Sequence, residues 1–239
     1  MSLDLTSFAG KKLRALGTSR IWLSPLAARL SPRRATMAGA RRLEEEGRFD
    51  EAMGVWQKLE GSRHFRAARF RIMLTRARAA QHIRDWPEAV KLFDAVLAMD
   101  PHDMRAKRGL EVSALHAARD AQADGRWLEA CRMWAAYGRS GADKRKCVRN
   151  LCDCARFVAQ SADDAEKMAE ALEGWTLLGE ADPKSVEAQQ GIQWSHLSIA
   201  RFAERKSDTV TARKHLEALL EVSPGDQRAL DGLKRLSGA

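Results

Sequence analysis

Arginine returns at one register along this chain: Arg41, Arg78, Arg119 and Arg201, with Gln160 standing where the remaining member of five would fall. A guanidinium group stays charged at all relevant pH and grips a carboxylate or phosphate through paired N–H bonds, so a line of them is chemistry for holding an anion. Arg71, seven residues before Arg78, shares its face if both sit on one helix. Set against this is a solvated face whose arginines pair with acids such as Glu44, Glu45 and Glu204, an arrangement that contributes little. With 29 arginines among 41 basic residues, a column also arises by chance.

Other residue types with chemical potential read as packing. Trp56, Trp134 and Trp175 occupy an apolar register, and Trp86 and Trp127 share the position three residues before an alanine column, so all five are expected in the core. They are not expected to form a stacking platform for single-stranded nucleic acid. Trp194 falls on the arginine side and is a candidate contact residue. Cys131, Cys147, Cys152 and Cys154 contain no C-x-x-C pair and no nearby histidine to complete a tetrahedral set, so they read as buried small apolar residues. The six histidines show no metal-ligand spacing. Asp163-Asp164 reads as a helix start rather than an acid–base pair. Phosphate-binding loops, dinucleotide fingerprints, nucleophile elbows and H-E-x-x-H are all missing from the sequence. The expectation is a protein that is not an enzyme, with no cofactor, no metal and no small-molecule substrate.

The elements that must carry the arginines are set by a ladder of alanines. Ala52, Ala89, Ala130, Ala171 and Ala212 are spaced 37, 41, 41 and 41 residues apart. Four residues beyond each stands Trp56, Phe93, Trp134, Trp175 or Leu216, and twelve before each stands Ala40, Ala77, Ala118, Ala159 or Ala200. The arginine register follows that second alanine column by one residue. Three columns in one phase mean internal repetition, and a period of this size points to a solenoid. Abundant Ala, Leu, Arg and Glu with few Pro favour helix throughout. Turns are legible at Gly47-Arg48-Phe49-Asp50, Arg84-Asp85-Trp86-Pro87, Asp124-Gly125-Arg126-Trp127 and Lys206-Ser207-Asp208. Asp100-Pro101, Asp182-Pro183 and Ser223-Pro224 punctuate the units, because Pro pushes the preceding residue out of the helical region.

On these turns and on the helices that follow them, with their small residue, their bulky residue four later and their closing Pro, the chain resembles the tetratricopeptide repeat family over about residues 33–236. It departs from the family period of 34, and the family's first-helix Trp and Tyr are missing. Seven extra residues make almost two helical turns, so they fit lengthened first helices of about 30 Å over 103–123, 143–161 and 185–205. A three-residue difference between the first two units is placed in the loop around Gly61-Ser62. The resemblance implies an all-α solenoid of helical hairpins, a right-handed superhelix of about five repeats. The units are 33–60, 65–100, 103–140, 143–181 and 184–222, closed by a cap over 226–236. It also implies that Arg41, Arg71, Arg78, Arg119, Gln160, Trp194 and Arg201 face an inner groove where partner segments lie.

The net charge of +9 is regional: residues 1–36 hold seven Lys or Arg against Asp4 alone, and Gly61 to Arg84 holds seven arginines and no acid. The leading reading is therefore a protein–protein interaction scaffold or adaptor that binds an acidic or extended segment of another protein. The alternative is a peripheral membrane or polyanion-binding accessory factor. It would use the basic segment 1–32, in which Lys11, Lys12, Arg14, Arg20 and Trp22 lie beside Phe8, Leu13 and Leu16. Nucleic acid is a weaker candidate, since a positive field without a recognised motif carries little. Without an apolar stretch long enough to span a bilayer, a clear cleavage site or a dispersed disulfide framework, the expected location is the cytoplasm, with association at the inner face of a membrane under the alternative.

Overall fold

The computed structural model describes residues 32–60 and 65–238. The all-α expectation holds: the described residues contain eleven α-helices and no strand. They are α1 Pro32–Glu45, α2 Phe49–Glu60, α3 Phe65–His82, α4 Trp86–Met99, α5 Met104–Ala123, α6 Trp127–Arg139, α7 Lys144–Gln160, α8 Ala165–Ala181, α9 Val186–Arg205, α10 Thr209–Val222 and α11 Gln227–Ser237. The loop around Gly61-Ser62 and the segment before Pro32 lie outside the described residues. The chain divides between Arg69 and Phe70 into two compact units.

In the first unit, α1 and α2 form a hairpin, with Ala40 and Ala52 fully buried. Trp56 is 1% exposed, and its indole Nε1 donates to the Glu44 carboxylate at 3.0 Å. A buried indole N–H needs an acceptor, and here a helix acid one turn before the bend supplies it.

The second unit is a run of tetratricopeptide-like hairpins in which each helix from α4 to α11 packs on the next. The alanine columns lie in the core at Ala77, Ala89, Ala118, Ala130, Ala171, Ala200 and Ala212, where the small side chain lets paired helices approach closely. The bulky column fits into a feature of the following first helix. Phe93 packs where a Cβ on Gly109 would sit, Trp175 does so at Gly191, and Leu216 reaches within 2.7 Å of such a Cβ at Gly232. Each of these glycines comes 16 residues after its knob, and Asn150 holds the same place after Trp134. Glycine inside a helix costs about 1 kcal/mol against alanine, so its recurrence here has a packing reason.

Helix ends repeat as faithfully. Gly47, Arg84, Gly125 and Ser207 occupy one turn register with φ of 75°, 61°, 72° and 60°. In each case the next backbone N–H reaches back to the last helical turn, as in Asp85 N to Ala80 O at 2.9 Å and Arg126 N to Ala121 O at 2.8 Å. First helices start on Asp103, Asp143 and Ser185, and the cap helix on Asp226, each side chain accepting from a first-turn N–H at 2.8–3.1 Å.

One unit breaks the pattern. α7 has 17 residues where α5 and α9 have 20, while α8 has 17 against 14 for α4 and 13 for α6. Asp163-Asp164 explains the exchange. Asp164 caps α8 by accepting from Lys167 N at 2.9 Å, and Asp163 pairs with Lys167 Nζ at 2.8 Å, so the second helix starts early. The exchange removes a bond that the earlier units make. Gln81 donates to Ser113 Oγ, and Gln122, 41 residues later, donates to Cys154 Sγ, both at 3.3 Å, tying one first helix to the next. In the next unit that glutamine position is Asp163, outside the helices, and Ser195 Oγ is buried without a partner.

Because the ring of Trp175 fills the space a side chain would need, Gly191→Ala should lower stability by about 1–3 kcal/mol, against the usual helix preference for alanine. Thermal unfolding checks this; an unchanged or raised midpoint would mean that the notch does not hold the repeats in register.

Candidate functional site

The solvent face of the first helices is where the arginine register emerges in the second unit. Arg119 on α5, Gln160 at the end of α7 and Arg201 on α9 are exposed at matching positions. Arg71 and Arg78 on α3 are half-buried, and each already makes an interaction within the protein. Arg41 is exposed on α1 of the first unit. Trp194 is 44% exposed, seven residues before Arg201, where α5 carries Val112 and α7 carries Asp153. Lys11, Lys12, Arg14, Arg20 and Trp22 lie outside the described residues.

A second arginine register, not singled out in the sequence, accompanies the first. Arg108 on α5 and Arg149 on α7 are 41 residues apart and both exposed. With Arg105 and Arg145 one turn earlier, they extend the cationic face toward the start of each helix. Among the described residues, none of Arg105, Arg108, Arg119, Arg145 or Arg149 takes part in an ion pair. The sequence carries this signal, because 108 and 149 keep the period, but neither stands beside an alanine of the columns. α7 is the most cationic of these helices, with Lys144, Arg145, Lys146, Arg149 and Arg156 against Asp153 alone. Two of the three acids named as partners for the column have other uses: Glu44 accepts from Trp56, and Glu204 pairs with Arg235 of the cap helix at 3.3 Å.

Second helices show the opposite economy of charge. Arg132 on α6 makes two bonds to Glu173 on α8, at 2.6 and 2.8 Å, between identical positions of adjacent units. That contact holds the Glu173 carboxyl below its ordinary range and raises Arg132. Arg139 reaches Asp94 at 2.5 Å across a cleft of about 390 Å³ between α4 and α6, with Val90, Met133 and Leu177 in its lining. Arg126 is clamped by Asp124 and Glu129 at the start of α6.

Trp86 and Trp127 differ from the core placement expected of them. Both are half-buried and stack on the following first helix: Trp86 on His116 with centroids 4.6 Å apart, Trp127 on Phe157 at 4.3 Å, each pair inclined at 16°. His116 and Phe157 are again 41 residues apart, so this is a repeated staple between units rather than a nucleic-acid platform. Cys131, Cys147 and Cys154 are buried and Cys152 is half-buried. Burial pushes the Cys147 thiol up, and its Sγ donates to Trp134 O at 3.2 Å.

The histidines are not all scattered. His196 on α9 and His215 on α10 face each other with their Nδ1 atoms 3.0 Å apart. Burial, with His215 adding to it, pushes His196 down to about 4, and burial with Lys214 lowers His215. Nineteen residues separate the two, a spacing with no local motif, so only the hairpin reveals the pair.

Fold comparison gives similar repeat proteins at low superposition. MamA (41 to end) from Desulfovibrio magneticus RS-1 is 18% identical, covering 81% of this chain and 96% of its own, with a TM-score of 0.32. The C-terminal part of a TPR repeat-containing protein from Cytophaga hutchinsonii is 15% identical, covering 83% and 99%, with a TM-score of 0.26. The APC/C hetero-tetramer Cut9-Hcn1 gives 16% identity, 84% of this chain, 48% of that chain and a TM-score of 0.25. At these scores the likeness carries no argument about function. No family model and no curated protein matches the chain. Among the described residues, no helix is long and apolar enough to cross a membrane.

His196 is neutral in the folded chain and takes up a proton more readily when unfolded. Its contribution to stability is therefore complete above its ordinary value of 6.5 and lost as pH falls toward about 4. Chemical unfolding of metal-free protein across that window should show a shallower loss for His196→Gln than for the parent chain. Equal slopes would mean that the imidazole is no more buried than a free one.

Proposed function

We propose that this protein is an interaction scaffold that binds an acidic, extended segment of another protein along the first-helix face of its second unit. One observation carries the reading: Arg108 and Arg149 are exposed one period apart on neighbouring first helices, with Arg105, Arg119 and Arg145 exposed on the same two helices, and none of the five is in an ion pair among the described residues. An extended chain presents carboxylates at intervals along its length, and guanidinium forks hold such groups bidentately. In repeat arrays of the resembled kind this flank is the preformed binding side, which spares the cost of ordering a loop. Trp194 and Arg201 continue the face onto α9 and supply an aromatic contact at one end.

The test is fluorescence anisotropy with a labelled poly-glutamate peptide on the full chain. The double variant Arg108→Glu/Arg149→Glu should weaken binding at least about tenfold and flatten its salt dependence, with helical circular dichroism unchanged. A folded double variant that binds as tightly as the parent removes the face from consideration. Tighter capture of anionic vesicles or generic RNA than of the peptide would refute a protein segment as the occupant.

A further inference from the structure

We propose that His196 and His215 form a two-histidine site for a divalent transition-metal ion of the imidazole-preferring class, with Zn2+ as its representative. The site is independent of the arginine face. It lies between α9 and α10, the two helices of the last hairpin, whereas the arginines project from the solvent side of the first helices.

The geometry is close to what a metal requires. The two Nδ1 atoms stand 3.0 Å apart, with ring centroids at 5.2 Å and planes inclined at 45°. Zinc binds imidazole nitrogen at about 2.0–2.1 Å, so two ligands in a tetrahedral set lie about 3.3 Å apart. Small ring rotations open the pair by that difference, and the 45° inclination already turns the ring planes away from parallel stacking. Both side chains are half-buried, so the pair is held by the hairpin yet reachable from solvent.

Proton accounting is simple. In the metal-free pair, one Nδ1 carries the hydrogen and donates it to the other. When the ion enters, that ring moves its proton from Nδ1 to Nε2 through solvent, and both imidazoles bind as neutral ligands without net proton release. The surroundings favour this state, because burial holds both rings in the uncharged form that binds metal. Among the described residues no group of three or more His, Cys, Asp or Glu is disposed to hold a metal, so the pair supplies two ligands and water fills the other positions. That makes the site moderate in affinity and open to an additional ligand, unlike a closed structural zinc site.

The ion would clamp α9 to α10 beside the second apolar cluster of Leu197, Ala200, Leu216 and Leu219, so binding must register as stability of the last hairpin. Thermal unfolding of the full chain with and without ZnCl2 should show a midpoint raised by a few degrees and restored by EDTA. His196→Gln and His215→Gln should each abolish the rise, while His102→Gln keeps it. On the parent chain, long-range 1H–15N spectra should show both Nδ1 atoms moving on zinc addition with the protons settled on Nε2. Retention of the full zinc effect by either glutamine variant overturns the proposal. So does a spectrum in which these two rings do not respond, and that second measurement decides the matter even if a variant folds poorly.

Discussion

The seating of Phe93, Trp175 and Leu216 in glycine notches on the helices that follow them is the contact on which the rest depends. Phe93 at Gly109, Trp175 at Gly191 and Leu216 at Gly232 are separated by one constant interval, so each fixes where the following helix starts and how it is rotated. Alanine columns let helices approach, but alanine on alanine slides easily and sets no register. A ring filling the space over a glycine does, because a shift by one residue would drive it into a Cβ. Once rotation is fixed, positions one period apart must share an environment. Trp86 and Trp127 find aromatic partners at equivalent places, and Gln81 and Gln122 make equivalent bonds, even on α7, where Asn150 stands in place of a notch glycine.

The exception supports the same account. Where Asp163-Asp164 starts α8 early, α7 gives up its last turn, and the glutamine that would tie it to α9 is gone. Ser195 is then left buried with its hydroxyl unpaired, at a cost of about 1–3 kcal/mol for such a group. The repeat nonetheless continues, since Trp175 still seats on Gly191. Between a polar tie and an apolar knob, the knob is the part the array keeps.

The fold was largely legible in the sequence, because alanines, bulky residues and turn residues each recur on their own account, and helix ends depend on neighbours in sequence. Asp103, Ser185 and Asp226 cap where a cap is needed, and Gly125 turns where φ must be positive. The glycine notches were present as a fixed offset of 16 but are visible only when two columns are compared with each other. Trp86 and Trp127 depart from the core placement for a related reason: spacing alone does not separate a side chain inside the core from one stacked at its edge. The candidate site was less legible. Arg119 and Arg201 emerge exposed, whereas Arg71 and Arg78, at a similar register, are drawn partly into the protein. Whether an arginine is a free cation depends on acids elsewhere in the chain, and periodicity says nothing of those. The His196–His215 pair is a purely tertiary fact.

Ion pairs are unevenly distributed over the arginines. On the second helices, Arg132 spends both arms of its fork on Glu173, and Arg139 is spent on Asp94. An incoming carboxylate would have to displace an existing one there, gaining little, since exposed pairs of either kind are nearly equal in free energy. On α5 and α7, Arg105, Arg108, Arg119, Arg145 and Arg149 are in no ion pair among the described residues, so no exchange is needed there, whereas Arg156 on α7 is already paired with Glu187 at 3.3 Å. Like charges kept on one face repel within a Debye length of about 8–10 Å, and the anionic segment proposed as the occupant would relieve that cost. The acidic segment proposed as the occupant would meet Arg108 and Arg149 without displacing a carboxylate, whereas at Arg132, Arg139 and Arg156 it would have to displace one.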